Sequence, residues 1–320
     1  MERLDVFMAR ANAAYYASHD PFADFVTSPE ITQVFGELLG AWAAVVWQMM
    51  GAPVPVILAE AGPGRGTLMA DALRAVRRVA PDFAAGLRVH LVETSPRLRA
   101  VQARVVPDAV WHDGIASLPD GPLILLANEF LDALPIRQFV RRGDGWAERF
   151  VAAGRGEGGA GHELPPEGTI IERNDEAAGI AAALGARLAR SGGAALFLDY
   201  GPGESAPGDS LQALAQGAAA DPLAAPGTAD LTAHVDFQAV AEAARAAGGA
   251  AQGPVPQGQF LTRLGLFQRT GVIARTQPPA RAARLIDAAQ RLAEPDRMGR
   301  LFKALALCDP ALPLLPGFAP

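Results

Sequence analysis

The stretch AEAGPGRGTL, residues 59–68, decides the fold of this chain. It carries a carboxylate, Glu60, followed by three glycines at every second position: Gly62, Gly64 and Gly66. An apolar run at 55–62 leads into the turn, and residues 67–79 have the apolar spacing of an amphipathic helix. A strand that passes through a glycine turn into a helix is typical of sheets that bind nucleotide-like cofactors at the carboxyl ends of their strands.

Apolar strands and helices continue to alternate after this turn. The predicted strands are 87–93, 109–114, 121–130 and 192–201, and the predicted helices are 95–105, with Ser95 as cap, and a helix from the cap Asp236. Continuous apolar strands separated by helices indicate a mostly parallel sheet with helices on both faces. The predicted fold class is therefore α/β.

Helical residues precede the sheet. The spacing predicts one amphipathic helix over 29–50, with Thr27 or Ser28 as its cap. We place an N-terminal helical extension at 1–52 and the main domain at 53–320.

Two insertions interrupt the main domain. Residues 137–172 begin with a hairpin that turns at 143–145 and continue into a glycine-rich piece at 154–161. Residues 202–235 are rich in Gly, Pro, Ala and Asp and predict a long loop over the site.

Composition limits the partners of the chain. Half of the residues are hydrophobic, which is enough for a large core, and the formal net charge is −6. Basic residues form no long run, so no nucleic acid partner is expected. The charge-free stretch 38–59 is interrupted by Gly51, Pro53 and Pro55, so no transmembrane span is predicted. The sequence leaves the oligomeric state open.

Cysteine and histidine usage bears on compartment and metals. The single cysteine, Cys308, cannot form an internal disulfide, and we assign it to the core side of an apolar C-terminal helix. Four histidines form no metal-ligand pattern: His19, His90, His112 and His162. Residues 1–16 have neither an apolar signal core nor a basic transit pattern. With the alanine-rich composition, this predicts a bacterial cytoplasm rather than a mitochondrial matrix.

The glycine turn has three candidate ligands. A nucleoside triphosphate needs a Gly-Lys-Ser/Thr ending, which is missing here, and a nicotinamide dinucleotide prefers G-x-G-x-x-G. The observed E-x-G-x-G-x-G suits S-adenosylmethionine, whose cationic end would lie near Glu60 and the bare backbone. Glu93, at the end of the second strand, is placed for ribose hydroxyls, and Asp113, after the third, for the adenine amino group. We include Thr67, the first residue of the helix, among the cofactor-binding residues.

Nine ordered blocks then resemble one family. They are DFVTSPEITQVFGELLG (24–40), EAGPGRGTLMAD (60–71), LVETSPRLRAVQ (91–102), ANEFLDALPIRQF (127–139), LFLDYG (196–201), GDSLQAL (208–214), DPLAAPGTADLTAHVDF (221–237), FLTRLGL (260–266) and MGRLFKALAL (298–307). The chain resembles the MidA-like methyltransferases, which include a mitochondrial complex I assembly factor that methylates an arginine. The segment HDPFADF, 19–25, is shorter than the family's connection and lacks its glycine.

The resemblance implies a class I, Rossmann-like methyltransferase fold and S-adenosylmethionine as cofactor. It also implies a protein partner that supplies an acceptor arginine, such as a respiratory complex I subunit. On that basis the polar residues after the fourth strand become the predicted catalytic group: Glu129 first, Asp132 second and Asn128 as an orienting residue. Carboxylates match the planar five-donor guanidinium of arginine. In a structural alternative, Asp132 caps a turn and Glu129 pairs with Arg137.

Further polar residues are candidates for the substrate entrance. Asp199, at the end of the fifth strand, either supports the site or belongs to a turn, and Asp230 and His234 could line the entrance. Tyr15 and Tyr16 either pack over the cofactor or pack within a helix.

Three other functions compete with this prediction. They are a nicotinamide oxidoreductase on a Rossmann sheet, a non-catalytic assembly factor that binds the cofactor only to fold, and a methyltransferase for small molecules.

Overall fold

The computed structural model describes residues 2–18, 26–151, 166–224 and 226–319. The short segment 19–25 with His19, the glycine-rich piece 154–161 and His162 lie outside the described residues.

The helices, in chain order, are α1 (Leu4–Ser18), α2 (Ser28–Ile31), α3 (Gln33–Met49), α4 (Thr67–Val79), α5 (Pro81–Gly86), α6 (Pro96–Val105), α7 (Asp175–Ser191), α8 (Phe237–Ala246), α9 (Gln257–Arg263), α10 (Leu266–Ala274), α11 (Pro279–Ala293) and α12 (Met298–Leu301). The strands are β1 (Glu2–Arg3), β2 (Val56–Ala61), β3 (Leu87–Val92), β4 (Val110–His112), β5 (Leu123–Asn128), β6 (Arg137–Arg142), β7 (Gly145–Glu148), β8 (Phe150–Val151), β9 (Ile170–Arg173), β10 (Gly193–Tyr200), β11 (Gln212–Ala215), β12 (Ala218–Ala220), β13 (Asp230–Thr232), β14 (Ala250–Pro256) and β15 (Phe302–Cys308).

Among the described residues, seven strands form the central sheet in the order β14, β15, β10, β5, β2, β3, β4. The strands from β10 to β4 are parallel, whereas β15 runs antiparallel to β10 and β14. The chain runs outward from β2 to β4 and then returns to β5, so strand order reverses between β2 and β5. Ligands of such sheets bind at this reversal, outside the carboxyl ends of the strands.

Two apolar clusters cover the two faces of the sheet. Successive residues of β5 alternate between them: Ile124 and Leu126 face the cluster under α3 and α4, and Leu125 and Ala127 face the cluster under α7 and α8. All six residues of β5 are buried. Burial on both faces therefore explains why the strands are apolar along their whole length, as predicted.

Close packing between α3 and α4 fixes the helix that follows the glycine turn. A Cβ at Gly40 would lie 2.7 Å from the Ala72 carbonyl oxygen, and one at Gly36 would lie 2.9 Å from the Leu68 carbonyl oxygen. Glycines four residues apart thus let the two helices approach along one stripe.

The predicted helix over 29–50 is interrupted. Thr32 is extended, with φ −159°, and separates α2 from α3. Its side chain accepts from the Val34 amide, so Thr32 is the N-cap of α3, and Thr27 makes no side-chain cap bond. Apolar residues keep the same helical spacing through α2 and α3, so the sequence does not show the interruption at Thr32. The division into 1–52 and 53–320 stays a prediction, and α3 belongs to the same apolar cluster as the sheet.

Two further expectations about secondary structure are wrong. The segment 202–235 contains β11, β12 and β13, which form a small antiparallel sheet rather than a loop. Cys308 is buried as predicted, but it ends strand β15 instead of lying in a helix. A short apolar run such as ALALC does not distinguish a buried strand from a buried helix.

Candidate active site

A cavity of about 940 Å³ lies at the carboxyl ends of the parallel strands. The predicted site residues that line it are Glu60, Gly62, Gly64, Thr67, Glu93, Asp113, Asn128, Glu129, Asp132 and Asp230. Three predicted site residues are not among its lining: Gly66, Asp199 and His234. The sheet thus brings together residues that are far apart in sequence, as the strand order requires.

The glycine turn needs its glycines for conformation. Gly62, Gly64 and Gly66 have φ values of 64°, 55° and 81°, which side chains of L-residues rarely adopt. Two of the glycines also permit close approach, because a Cβ would lie 3.1 Å from Phe130 Cδ2 at Gly62 and 3.0 Å from Val105 Cγ2 at Gly66. Gly66 therefore permits contact between the start of α4 and α6; it does not line the cavity, and its role in cofactor binding stays a prediction.

Glu60, the penultimate residue of β2, carries a buried carboxylate and lines the cavity. Its side chain is 2% exposed, and Oε2 has no hydrogen-bond partner among the described residues. Burial raises the pKa of Glu60 to about 8, against a smaller lowering by the Met69 backbone. A buried carboxylate oxygen without a partner costs free energy, so this position favours a cationic or hydrogen-donating ligand.

Glu60 gives a testable dependence of stability on pH. The folded protein keeps this proton up to about pH 8, whereas the unfolded chain loses it near the ordinary value of 4.5. The contribution is therefore fully present below about pH 4.5 and is lost as the pH rises through 8. Without ligand, Glu60→Gln should be more stable than the wild type by on the order of a few kcal/mol at about pH 9, and nearly equal at about pH 5.

Urea unfolding at the two pH values measures this difference. Glu242→Gln, which changes an exposed carboxylate on α8, is the matched control and should leave the pH dependence unchanged. A Glu60→Gln protein that is less stable than the wild type at about pH 9 would contradict the burial argument.

Glu93 is held by a network that the sequence did not reveal. Its Oε1 accepts from the Ser95 amide (2.8 Å), and its Oε2 accepts from Gln102 Nε2 (3.1 Å). Gln102, which is fully buried, also donates to the Gly64 carbonyl oxygen (2.8 Å) and accepts from Trp111 Nε1 (2.8 Å). One glutamine thus joins the glycine turn to the ends of β3 and β4. A buried glutamine on a helix of mixed composition gives no periodic signal.

Two other predicted cofactor residues make contacts at the cavity wall. Asp113 is exposed and pairs with Arg99, whose Nε donates to the Glu93 carbonyl oxygen (2.7 Å). Thr67 Oγ1 donates to Glu30, which ties the first turn of α4 to α2. Glu30 lies in the first turn of α2, where a carboxylate favours the positive helix end, and it also fixes the start of α4.

Glu129 has a fixed orientation at the end of β5. Its Oε1 accepts from the Ser28 amide (3.1 Å) and from Asn128 Nδ2 (2.9 Å). Its backbone φ is 50°, a conformation that costs on the order of 1–3 kcal/mol outside glycine and that clusters at functional sites. Burial raises the pKa of Glu129, and the hydrogen bonds from Ser28 and Asn128 lower it by less.

Asp132 is one of three deeply buried carboxylates in the cavity lining, with Glu60 and Asp230. It is 6% exposed, and its Oδ1 has no hydrogen-bond partner in the described part of the chain. Its pKa lies well above the ordinary value because of burial first, and then because of the negative charges of Asp199, Glu129 and Asp230. Oδ1 therefore caps no amide of the described residues, whereas the carboxylate as a whole accepts a hydrogen bond from the Ala133 backbone.

Asp199 supports this loop from below and does not line the cavity. Its Oδ2 accepts from the amides of Phe130 (3.1 Å), Leu131 (2.8 Å) and Asp132 (3.3 Å), and its Oδ1 from that of Tyr200 (2.9 Å). Asp199 therefore supports the segment after β5 through its backbone amides. Burial raises its pKa to about 7.

The remaining sequence alternatives are decided by position. Arg137 pairs with Glu148 and Asp175, so it is not the partner of Glu129. His234 is exposed and lines a different cavity, although its ring contacts edge-on that of Tyr200, which lines the main cavity. The assignment of His234 to the substrate entrance stays a prediction. Tyr15 is fully buried, whereas Tyr16 lines the main cavity.

In the described ranges, no group of three or more His, Cys, Asp and Glu side chains is arranged to hold a metal ion. None of the helices in those ranges is both long and apolar enough to cross a bilayer.

The class of protein follows from comparison of this fold and site with known proteins. A family profile for S-adenosyl-L-methionine-dependent methyltransferases matches residues 38–255. A Burkholderia thailandensis COG1565 superfamily protein, crystallised with S-adenosyl-homocysteine, superposes with a TM-score of 0.80 at 26% identity, covering 99% of this chain and 90% of that one. The chain therefore belongs to the S-adenosyl-L-methionine-dependent methyltransferase family.

Two curated relatives are named as protein arginine methyltransferases. The mitochondrial protein arginine methyltransferase NDUFAF7 of Danio rerio is 33% identical over 348 residues, which covers 93% of this chain and 80% of the relative. NDUFAF7 of Homo sapiens is 32% identical over 346 residues, covering 92% and 76%.

These findings confirm several predictions and overturn one. The class I methyltransferase fold, the methyltransferase activity and S-adenosylmethionine as cofactor are confirmed. The nicotinamide and non-catalytic alternatives receive no support from these relatives. The prediction of a bacterial cytoplasm is wrong, because the curated relatives are named as mitochondrial proteins.

Proposed function

We propose that the protein methylates an arginine side chain of a protein acceptor, with Glu129, Asp132 and Asn128 as the acceptor site. The observation that carries the proposal is the pair of carboxylates at the end of β5, both of which line the cavity. A carboxylate pair favours a cation with several donors, and guanidinium is such a cation. Relatives named as protein arginine methyltransferases support the same acceptor.

The residues around the glycine turn fit the cofactor. We assign Glu60 to its cationic amino group, Glu93 to its ribose hydroxyls and Asp113 to its adenine amino group. Gly62, Gly64 and Thr67 would form the wall against which it lies. The fit rests on Glu60, which lines the cavity and whose buried Oε2 has no partner among the described residues. S-adenosylmethionine supplies a methyl group that its sulfonium makes electrophilic.

Glu129 has the geometry to orient the acceptor. Because Ser28 and Asn128 hold its Oε1, the carboxylate can accept guanidinium N–H groups without first being ordered. A carboxylate on the far nitrogens localises positive charge there and leaves the near nitrogen more nucleophilic. Holding that nitrogen in line can contribute roughly 7–11 kcal/mol to catalysis.

Asp132 has the properties of a proton acceptor. A guanidinium nitrogen that gains a carbon substituent must lose one N–H proton if the side chain is to keep a single positive charge. Burial raises the pKa of Asp132, which makes its ionised carboxylate a stronger base toward that proton.

An acceptor screen tests the proposal. Recombinant respiratory complex I subunits, whose choice rests on the resemblance, and an arginine peptide library would be incubated with methyl-labelled S-adenosylmethionine. The matched control is the same library with lysine at each arginine position. We expect label in methylarginine after acid hydrolysis and none in methyllysine. Label found only in small molecules of a cell extract would instead favour the small-molecule alternative.

A further inference from the structure

Helix α1 presents two different faces to the protein. One face is buried against the inserted strands and the segment after β5; the cluster comprises Leu4, Phe7, Met8, Ala11, Ile136, Ala213, Ala229, Leu231 and Ala233. The adjacent face lines the active-site cavity with four residues at helical spacing, which are Ala9, Asn12, Ala13 and Tyr16. The apolar face therefore anchors the helix, and the polar residues of the other face reach the site.

Asn12 joins two segments that carry acidic site residues. Its Nδ2 donates to the carbonyl oxygens of Ala133 (3.1 Å) and Leu231 (2.8 Å), and its Oδ1 accepts from the Leu231 amide (3.0 Å). Ala133 follows Asp132, and Leu231 follows Asp230. Because Asn12 is buried, these bonds fix the spacing of the two segments without competition from water.

A second contact joins the same segments directly. The Ala233 amide donates to the Asp132 carbonyl oxygen (2.9 Å). Tyr16, one helical turn after Asn12, donates its hydroxyl to Asp230 Oδ1 (2.7 Å). Asp230 is 4% exposed and lines the cavity together with Asp132. The tyrosine thus sets the orientation of a second buried carboxylate beside the first.

The buried oxygen of Asp132 points to a ligand. Asp132 lines the cavity next to the negative charge of Asp230, and its buried Oδ1 has no hydrogen-bond partner in the described part of the chain. We propose that Asp230 forms, with Asp132, a second wall of the acceptor site opposite Glu129, and that Tyr16 and Asn12 are its positioning residues. The inference rests on the proposed arginine acceptor.

Two carboxylate walls discriminate between cations. A guanidinium has five donors spread over a plane and can bond to Glu129 on one edge and to Asp132 and Asp230 on the other. A lysine ammonium is a compact charge with three donors, and when it bonds to Glu129 it would leave the buried Asp132 Oδ1 without a partner. The second wall is therefore a determinant of arginine specificity. Asp132 comes from the segment after β5, Asp230 comes from the 202–235 insertion, and α1 positions them.

The test uses Tyr16→Phe and Asp230→Asn in the full chain, with the arginine acceptor found in the screen as probe. Loss of one hydrogen bond should raise KM for the acceptor about tenfold in Tyr16→Phe, and loss of a charge partner about a hundredfold in Asp230→Asn. The value of kcat should change less than KM, and Asp230→Glu should recover part of the loss. Stabilisation by S-adenosyl-homocysteine should be unchanged, which reports intact folding and cofactor binding.

Arg10→Gln is the matched control on α1. Arg10 lies at the surface and pairs with Glu2, so its loss weakens the helix without altering the cavity face, and KM should stay at the wild-type value. Wild-type KM in both Tyr16→Phe and Asp230→Asn would overturn the inference while leaving the proposed function intact. A wild-type protein that methylates no arginine acceptor would overturn the proposed function and the second wall with it.

Discussion

Glu129→Gln should lower kcat/KM for an arginine acceptor roughly a thousandfold, since removal of one preorganised electrostatic group costs about 10²–10³ in rate. The glutamine oxygen can still accept from the Ser28 amide and from Asn128 Nδ2, so the side chain keeps its orientation and loses only its charge. The backbone strain at φ 50° is shared by wild type and variant. The change therefore isolates the electrostatic contribution of the carboxylate.

Steady-state rates with saturating cofactor measure this effect. Glu176→Gln is the matched control, because Glu176 lines the same cavity from the start of α7 but is exposed, and its variant should stay close to the wild type. Stabilisation by S-adenosyl-homocysteine should be equal in all three proteins. Equal losses in Glu129→Gln and Glu176→Gln would mean that cavity charge as a whole, and not the position of Glu129, drives the reaction.

Local patterns in the sequence account for most of the central fold. Strand β2, the glycine turn and α4 follow one another within 24 residues, and each has its own signal in apolar spacing or glycine content (residues 56–79). Ser95 and Asp236 cap their helices as predicted, because a cap depends on residues within one turn. The strand ends then fix the place of Glu60, Glu93 and Glu129, since parallel strands present their carboxyl ends at one edge.

Contacts between distant segments account for what the sequence did not show. Tyr16 and Asp230 meet although 214 residues separate them, and no periodicity reports such a pair. Gln102 likewise joins three segments through side-chain bonds that depend on the finished packing. Asp199 was placed at the right strand end, but only the structure shows that its carboxylate faces the backbone of the loop instead of the cavity.

Gly64→Val should abolish binding of S-adenosylmethionine while leaving the protein folded. Gly64 has φ 55° and lines the cavity, so a β-branched residue would force the turn out of the conformation on which the cofactor lies. A ligand that binds only the folded state adds about 2.7 kcal/mol to the free energy of unfolding at a hundredfold excess over Kd, and the variant should lose this gain.

Gly143→Val is the matched control: Gly143 has φ 50° in the turn between β6 and β7, and a Cβ there would meet no atom of the described residues within 4 Å. Both variants carry a similar backbone penalty, on the order of 1–2 kcal/mol. Thermal unfolding with and without S-adenosyl-homocysteine separates them, because only Gly143→Val should keep the full ligand-induced rise in Tm. A full rise in Tm in Gly64→Val would show that cofactor binding does not depend on the conformation of the glycine turn. It would contradict the assignment of Gly64 to the cofactor site.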